Sequence, residues 1–407
     1  MGRRRQSLAS VGVWALAALC AVVLGLQRYR EGLGAGQPDL DSFFLPAAHA
    51  IVSGDSPYSV SGYFYSPLVA LMLAPFEASS HATEYWTAAR VAAGVAACVV
   101  GALACTPRGA WMRAGLVCIG AMVTLLWSWP ATLDLWIGQV ELFVLLALTV
   151  AAYAETRGHR FVSGLALGMC AVIKIWPALF AIWLFRRGAV ARRVSWLGVL
   201  AAAGLALVLS LATGGVGGAV DLVLKPLSGG NQPRLAANSV WGLPRVLFDE
   251  TSVAEPLTDS PVLRATLTVV LALWVVGLAV ITLSKPGPSF VALFNIAFAV
   301  ILLMPVSHYF YVLYALPTLW WWAARVLERP RSAVAWTACV ALLVWWVVVF
   351  RLPPAGDGFL TSTAPSLLRI FGASIVAATV SVLAAASIDG GIRSAPSPIP
   401  ARSRSAA

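Results

Sequence analysis

Two carboxylates, Asp39 and Asp41, stand close together in a stretch rich in aromatic residues and prolines that runs from 39 to 67. This stretch follows the first apolar span directly, so both aspartates are predicted to lie just outside a membrane. A carboxylate in such a place can act as a general base that takes a proton from an acceptor hydroxyl. Solvated loop carboxylates are the alternative, and the local chemistry does not choose between the two aspartates.

Lys174 is a candidate for phosphate binding because it stands between Ile173 and Ile175 in an otherwise apolar segment. A charged side chain at membrane depth costs free energy and indicates a function by default. The alternative is that the long side chain reaches an interface and is solvated there.

Further polar candidates lie in predicted outer segments. His308 and Tyr309 stand at the outer end of a span, where they could contact a phosphate or a sugar hydroxyl or simply form interfacial hydrogen bonds. Arg234 and Arg245 lie in a long loop, where arginines are usually solvated. Three more polar residues lie at an outer helix end, and for them a structural role is favoured over a functional one: Asp134, Gln139 and Glu141.

Several kinds of site have no counterpart in the sequence. There is no nucleotide-binding loop, zinc-ligand spacing or Ser/His/Asp order. The six cysteines lie in apolar spans or at their edges, where free cysteine is usually a small packing residue. We therefore predict no metal site and no disulfide in the outer loops.

The composition predicts an all-α polytopic membrane protein. Of the 407 residues, 60% are hydrophobic and 11% are charged, and the mean hydropathy is +0.83. Such a chain must span the bilayer as helices, which satisfy their own backbone polar groups. The net charge of +11 does not indicate nucleic-acid binding, because the basic residues fall in short loops between spans.

The order of apolar and polar segments predicts about 11–12 membrane helices. The N-terminus is placed in the cytoplasm by its arginines, and the Asp41 loop and the long second loop are placed outside. A hairpin of two short helices is expected at 161–185, because Pro177 disfavours helix just before it. The predicted units are 1–27 (N-terminus and first helix), 28–84 (outer catalytic loop), 85–212 (membrane core), 213–261 (outer loop), 262–387 (C-terminal helices) and 388–407 (disordered basic cytoplasmic tail).

An ordered set of short motifs runs along most of the chain. Each is nonspecific alone, but five in order are much stronger: Asp41…Gly54-Asp-Ser-Pro57-Tyr58…Tyr65-Ser-Pro67; Gly138-Gln139; Gly164…Gly168…Lys174-Ile-Trp-Pro177; Asn238-Ser239…Gly242…Arg245; and Pro305-Val-Ser-His308-Tyr309. In this pattern the chain resembles GT-C-type membrane glycosyltransferases of glycosyltransferase family 87. Two positions depart from the commoner pattern: Leu45 stands where tyrosine is frequent, and Ser66 where proline is frequent.

The resemblance implies a GT-C-type helix bundle in a plasma membrane with an extracytoplasmic active site. The donor would be a polyprenyl-phosphate sugar, with mannose favoured and arabinofuranose as the alternative, and the acceptor a glycolipid or polysaccharide. Membrane lipids would be the other partners; no cofactor or nucleic acid is expected, and a divalent ion at Asp39 and Asp41 is possible but not required.

The resemblance also assigns roles to residues. Asp41, favoured over Asp39 by its spacing to Gly54, would be the catalytic base of an inverting transfer. Cationic and polar side chains would bind the donor phosphate or sugar: Lys174, His308, Arg245, Arg234 and Tyr309. Other motif residues become candidates for the loop and acceptor site: Tyr58, Tyr65, Gln139, Asn238 and Ser239.

Two other classes of protein compete with this interpretation. A transporter or lipid flippase would explain the apolar shell and a buried Lys174, but not a roughly fifty-residue acidic loop after the first span, since transporters gather polar groups near the midplane. A structural assembly subunit would leave Asp41 dispensable.

Overall fold

The structure, a computed structural model, describes residues 2–229, 239–249, 256–285, 287–305, 307–350 and 364–388. These residues form α-helices and short turns of other helix types, and no strand occurs among them. The α-helices are α1 (Gly2–Leu33), α2 (Leu45–Val52), α3 (Pro67–Leu73), α4 (Ala82–Cys105), α5 (Trp111–Leu126), α6 (Trp129–Ile137), α7 (Glu141–Thr156), α8 (Arg160–Ile173), α9 (Ala189–Gly229), α10 (Gly242–Phe248), α11 (Pro261–Ser284), α12 (Ser289–Leu303), α13 (Leu316–Glu328), α14 (Ala333–Phe350) and α15 (Ala364–Ser387). The all-α membrane fold is thereby confirmed.

Within the described residues, five helices are long and apolar enough to cross a membrane, and six if α5 and α6, bent by 57°, form one span. The number of membrane helices predicted from the sequence, about 11–12, is larger because it also counted shorter apolar segments. Apolar helices of 10–17 residues are present as well: Leu40–Val52, Pro67–Phe76, Arg160–Ile173, Trp176–Arg186, Ser289–Leu303 and Ala333–Val349.

The core surrounds α12, whose side chains are buried on every side from Phe290 to Leu302. A helix that is apolar all round belongs inside a bundle rather than at its surface. On one flank, α7 packs between α4 and α8, and α8 packs along α9. A side chain at Gly164 would meet the carbonyl of Ser195, so the glycines on α8 allow the two backbones to touch.

The segment 161–185 is broken at Lys174, whose backbone is extended (φ −147°, ψ 127°). Beyond it, Trp176–Arg186 forms a 3₁₀-helix. Arg187, just after this helix, donates to the Ser163 hydroxyl at 3.0 Å, so the chain returns to the end of α8 where it started. The two short helices therefore form a hairpin whose break lies at its tip.

The hairpin gives the bundle two distinguishable ends. At one end, Arg187 and Arg160 both pair with Glu155, in the last turn of α7. At the other, Lys174 pairs with Glu141, in the first turn of the same helix. We call these the Arg187 end and the Lys174 end; α7, of 16 residues, separates them by about 24 Å.

Helix α9 continues into the segment that the sequence assigned to the outer loop 213–261. It kinks at Gly215, whose φ of +58° and ψ of −154° are not helical, and then runs on to Gly229. Beyond the kink, Lys225 donates to the carbonyl of Tyr58. The start of the second loop is thus helical and packs on the first loop.

Candidate active site

The two aspartates lie at the start of a short helix that follows α1. Asp39 precedes a π-helical turn, Leu40–Phe44, that holds Asp41 and runs directly into α2. The Asp41 side chain is exposed, whereas Asp39 is half-buried. Wide turns of this type are rare and occur frequently at functional sites.

Arg90, on α4, binds the residue Gln37, which lies just before this turn. Its guanidinium is fully buried and donates to the side-chain oxygen of Gln37 at 2.7 Å. Gln37, which has a positive φ of 34°, in turn donates to Thr87 at 2.7 Å. Arg90 also donates to the carbonyls of Asp134 and Leu135, at 3.0 and 3.2 Å, and so joins the loop to the end of α6.

Gly138 brings the end of α6 against the aspartate turn. It takes the left-handed conformation that ends α6 (φ +87°), and its carbonyl accepts from the Trp86 indole at 2.9 Å. A Cβ added there would lie 2.9 Å from both the backbone nitrogen and the Cβ of Leu40. The Gly138-Gln139 motif thus serves a close backbone contact with the aspartate turn.

Gly138→Ala is therefore expected to lower the stability of the protein by about 1–3 kcal/mol, through a strained φ and a clash with Leu40. The thermal unfolding temperature of purified protein measures this. Gly120→Ala is the matched control, because a Cβ on that helical glycine meets nothing within 4 Å and improves helix propensity. Equal unfolding temperatures for the two variants would contradict the packing argument.

Lys174 is buried, with 8% exposure, and its ammonium has a defined set of partners. It forms a salt bridge with Glu141 and approaches the side-chain oxygen of Gln139 at 3.4 Å. Three aromatic rings surround it: the nitrogen lies 4.6 Å from the ring centre of Tyr311, 5.4 Å from that of Tyr65 and 5.9 Å from that of Phe310. Cation–π contacts and the ion pair together keep a buried charge stable.

Gln139 connects this buried cation to the aspartate turn. Its side-chain nitrogen donates to Asp39, and its oxygen accepts from the Tyr65 hydroxyl at 2.8 Å. Asp39, Gln139, Tyr65, Lys174 and Glu141 therefore form one network across four segments of the chain. Asp39 accepts a hydrogen bond within this network, whereas Asp41, two residues further along the chain, is exposed.

Asp134 supports the network from within the protein. It is fully buried, and its Oδ1 accepts from the backbone nitrogen of Glu141 at 3.1 Å, at the first turn of α7. Its Oδ2 has no hydrogen-bond partner among the described residues. The structural role that the sequence favoured for Asp134 agrees with this contact.

His308 lies beside the aromatic wall of Lys174. Its ring stacks on Phe310, with the centres 5.1 Å apart, and meets the edge of Tyr311 at 5.3 Å. Tyr311 thus contacts both the imidazole and the Lys174 ammonium. The neighbouring Tyr309 has a buried hydroxyl with no hydrogen-bond partner in the described part of the chain.

The remaining candidates lie in packing or ion-pair positions, or outside the described residues. Tyr58 is buried with its ring 5.9 Å from Tyr63. Ser239 is buried before α10, and Arg245 lies 3.7 Å from Asp249. Two positions fall outside the described residues: Arg234 and Asn238.

Sequence reasoning gave too little weight to Glu141 and did not consider Arg90. Both are fully buried charges near the ends of apolar helices, which is itself a signal of function or of a fixed partner. Their partners lie far away in the chain, so only the fold shows what they pair with. In the described ranges, no group of three or more His, Cys, Asp or Glu side chains is arranged to hold a metal ion.

A family model for glycosyltransferase family 87 matches residues 63–307, more than half of the chain. The chain belongs to glycosyltransferase family 87. The matched range contains the Tyr65, Gln139, Glu141 and Lys174 part of the network, while Asp39, Asp41 and His308 lie outside it. No curated protein matches the chain.

Membership of family 87 identifies a membrane glycosyltransferase, which acts on a sugar donor and an acceptor. It decides against a transporter or a purely structural subunit. In such an enzyme, the network that joins Asp39, two residues before the exposed Asp41, to the buried Lys174 is the best candidate for the active site.

Proposed function

We propose that this family 87 enzyme transfers a sugar from a polyprenyl-phosphate donor to a hydroxyl of a glycolipid or polysaccharide, with inversion and with Asp41 as the general base. The observation that carries the proposal is the juxtaposition of Asp41, exposed on its π-helical turn, with the network that holds Lys174. Mannose is the favoured sugar, by the resemblance of the motifs, and arabinofuranose is the alternative.

In this mechanism, Asp41 takes the proton of the acceptor hydroxyl. The acceptor oxygen attacks the anomeric carbon, and the bond from that carbon to the phosphate oxygen breaks with its electron pair going to the lipid phosphate. A carboxylate suits the first step because it accepts a proton from a hydroxyl in the transition state. In-line attack inverts the anomeric centre.

Lys174 would stabilise the departing lipid phosphate. An ammonium has three N–H donors, so Lys174 can keep its contact with Glu141 while it also donates to a ligand. A phosphate oxygen would accept from this ammonium in a site where burial strengthens electrostatic interaction. His308 and the unpartnered hydroxyl of Tyr309 would supply further donors beside the same aromatic wall.

Arg245 and Arg234 remain secondary candidates for the phosphate. Arg245 has a nearby carboxylate in Asp249, which Arg264 also contacts at 2.7 Å, so part of its charge is already compensated. No cofactor is needed in this scheme, since cationic side chains carry the charge that a metal would otherwise carry.

The donor is tested with purified protein in lipid nanodiscs and a crude membrane-lipid acceptor pool. Three donors are compared: polyprenyl-phosphate-mannose, the corresponding arabinofuranosyl lipid, and a nucleotide-linked mannose. Transfer from the mannosyl lipid is expected. Transfer from the arabinofuranosyl lipid alone would keep the mechanism and change the sugar, whereas transfer from the nucleotide sugar alone would contradict a lipid-linked donor.

The rate of transfer is expected to fall at low pH in a way that reports on Asp41. The pKa of this carboxyl is raised above its ordinary value because neighbouring protein atoms displace part of its hydrating water. A base works only when deprotonated, so kcat should decline as pH falls through a pKa above about 4, the usual value for aspartate. An acid limb below that value would argue against Asp41 as the base.

The Lys174 end is proposed to face the outside of a plasma membrane, since basic residues gather at the Arg187 end. A cysteine at exposed Ser59 should then react with an impermeant thiol reagent in intact cells. A cysteine at exposed Arg329, near the Arg187 end, should react only after the inner face is opened. The reverse pattern would refute this orientation.

A further inference from the structure

A cleft whose lining includes basic residues lies at the Arg187 end, far from the candidate active site. It is small and open to the surroundings, and it lies between α11, α12, α15 and the 3₁₀-helix Trp176–Arg186. That 3₁₀-helix leads away from Lys174, and its 11 residues rise by about 20 Å. The cleft is therefore separate from the network around Lys174.

Two cations line this cleft, and no carboxylate does among the described residues. Arg186 is held by the carbonyls of Lys285 and Gly287, to which it donates at 2.8 and 3.2 Å. Lys285 is exposed, and its ammonium has no partner among the described residues. Within the described part of the chain, the cleft thus presents positive charge without a carboxylate beside it.

Asn295 adds a buried hydrogen-bond donor to the lining of the cleft. Its side chain is 3% exposed, and its orientation follows from its neighbours. The Trp322 indole can only donate, and it donates to the Ser381 oxygen at 3.2 Å. The Ser381 hydroxyl donates to the Asn295 side-chain oxygen at 2.8 Å.

The amide nitrogen of Asn295 is consequently turned away from Ser381. It has no hydrogen-bond partner in the described part of the chain. A ligand in the cleft that accepts a hydrogen bond from this amide would therefore gain a polar contact.

The N-terminus of α12 also lines the cleft, through Gly287, Pro288 and Val291. Pro288 precedes the first helical residue and provides no side-chain cap. The first backbone N–H groups of α12 therefore add to the positive potential that Arg186, Lys285 and Asn295 create.

We propose that this cleft binds the phosphate headgroup of an anionic membrane lipid. Basic pockets between membrane helices are suited to such headgroups. Apolar side chains of the neighbouring α11 are exposed towards the surroundings, Val276 by 44% and Val280 by 54%, so acyl chains would lie along that helix. Inorganic phosphate has the same headgroup chemistry, and the experiment separates the two sources.

The test measures binding to purified full-length protein in a neutral detergent, without a sugar donor, so that its result is independent of the proposed reaction. The probes are short-chain phosphatidylglycerol, phosphatidylcholine with the same chains, and inorganic phosphate. The variants are Lys285→Gln and Asn295→Leu. Arg193→Gln is the matched control, because Arg193 is an exposed basic residue near the same end that does not line the cleft.

Phosphatidylglycerol is expected to bind the wild type and Arg193→Gln equally, and to bind Lys285→Gln and Asn295→Leu at least tenfold more weakly. Unfolding temperatures identify any variant that fails to fold, and Lys285→Gln, at an exposed position, keeps the test informative. Equal affinity of all four proteins, or of both lipids, would overturn the proposal. Binding of inorganic phosphate as tight as that of the lipid would assign the site to free phosphate instead.

Discussion

Asp41→Asn is expected to lower the rate of sugar transfer by about 10²- to 10⁴-fold, the usual contribution of a positioned general base. The amide has the shape of the carboxylate but cannot take the acceptor proton. Because the Asp41 side chain is exposed, the change should leave the unfolding temperature within the error of measurement. Transfer is measured in nanodiscs at saturating donor, so that kcat rather than donor affinity is compared.

Asp39→Asn is the matched control for this substitution. Asp39 is two residues away and accepts a hydrogen bond from Gln139, so its loss should disturb the position of the network more than the proton transfer. We expect a smaller fall in kcat and an acid limb that still reports Asp41. If Asp39→Asn abolished transfer while Asp41→Asn remained active, the base would be Asp39.

The class of fold could be predicted from the sequence because it depends on local properties. Long apolar runs must be helical in a bilayer, whatever they pack against. The break at Lys174 is also a local property, since Pro177 cannot donate a backbone hydrogen bond and disfavours helix before it.

The pairing inside the candidate site depends on the packing of distant segments. Glu141 and Lys174 meet because α7 and α8 lie side by side, and a charge pattern alone does not specify which helices become neighbours. The same holds for Arg90, which supports the Asp41 loop through Gln37. The Gly138-Gln139 motif is the sequence signal that lies at this part of the site. The structure shows why glycine is needed there: the backbone of Gly138 packs directly against Leu40.

The choice between Asp39 and Asp41 as the proposed base also depends on distant segments of the chain. Spacing to Gly54 favoured Asp41, but the two carboxylates have similar local sequence. Their environments differ in the fold: Asp39 accepts from Gln139, and Asp41 is exposed on a π-helical turn. The structure therefore distinguishes the surroundings of the two carboxylates, and the role of Asp41 as the base stays a prediction.

Lys174 is expected to have two separable effects, one on stability and one on transfer. Lys174→Met leaves Glu141 buried without its partner, and Glu141→Gln does the same to Lys174. Breaking a buried ion pair in this way typically costs about 3–5 kcal/mol. The double variant Lys174→Met/Glu141→Gln removes both charges and should regain most of the lost stability.

Activity should follow a different pattern if Lys174 binds the donor phosphate. Lys174→Met and the double variant should both show a raised apparent KM for the donor or no turnover, although the double variant is folded. Glu141→Gln, which keeps the cation, should retain transfer in proportion to the folded fraction. A double variant that recovered both stability and transfer would show that Lys174 only holds the helices together, and that His308 and its neighbours must carry the phosphate without it.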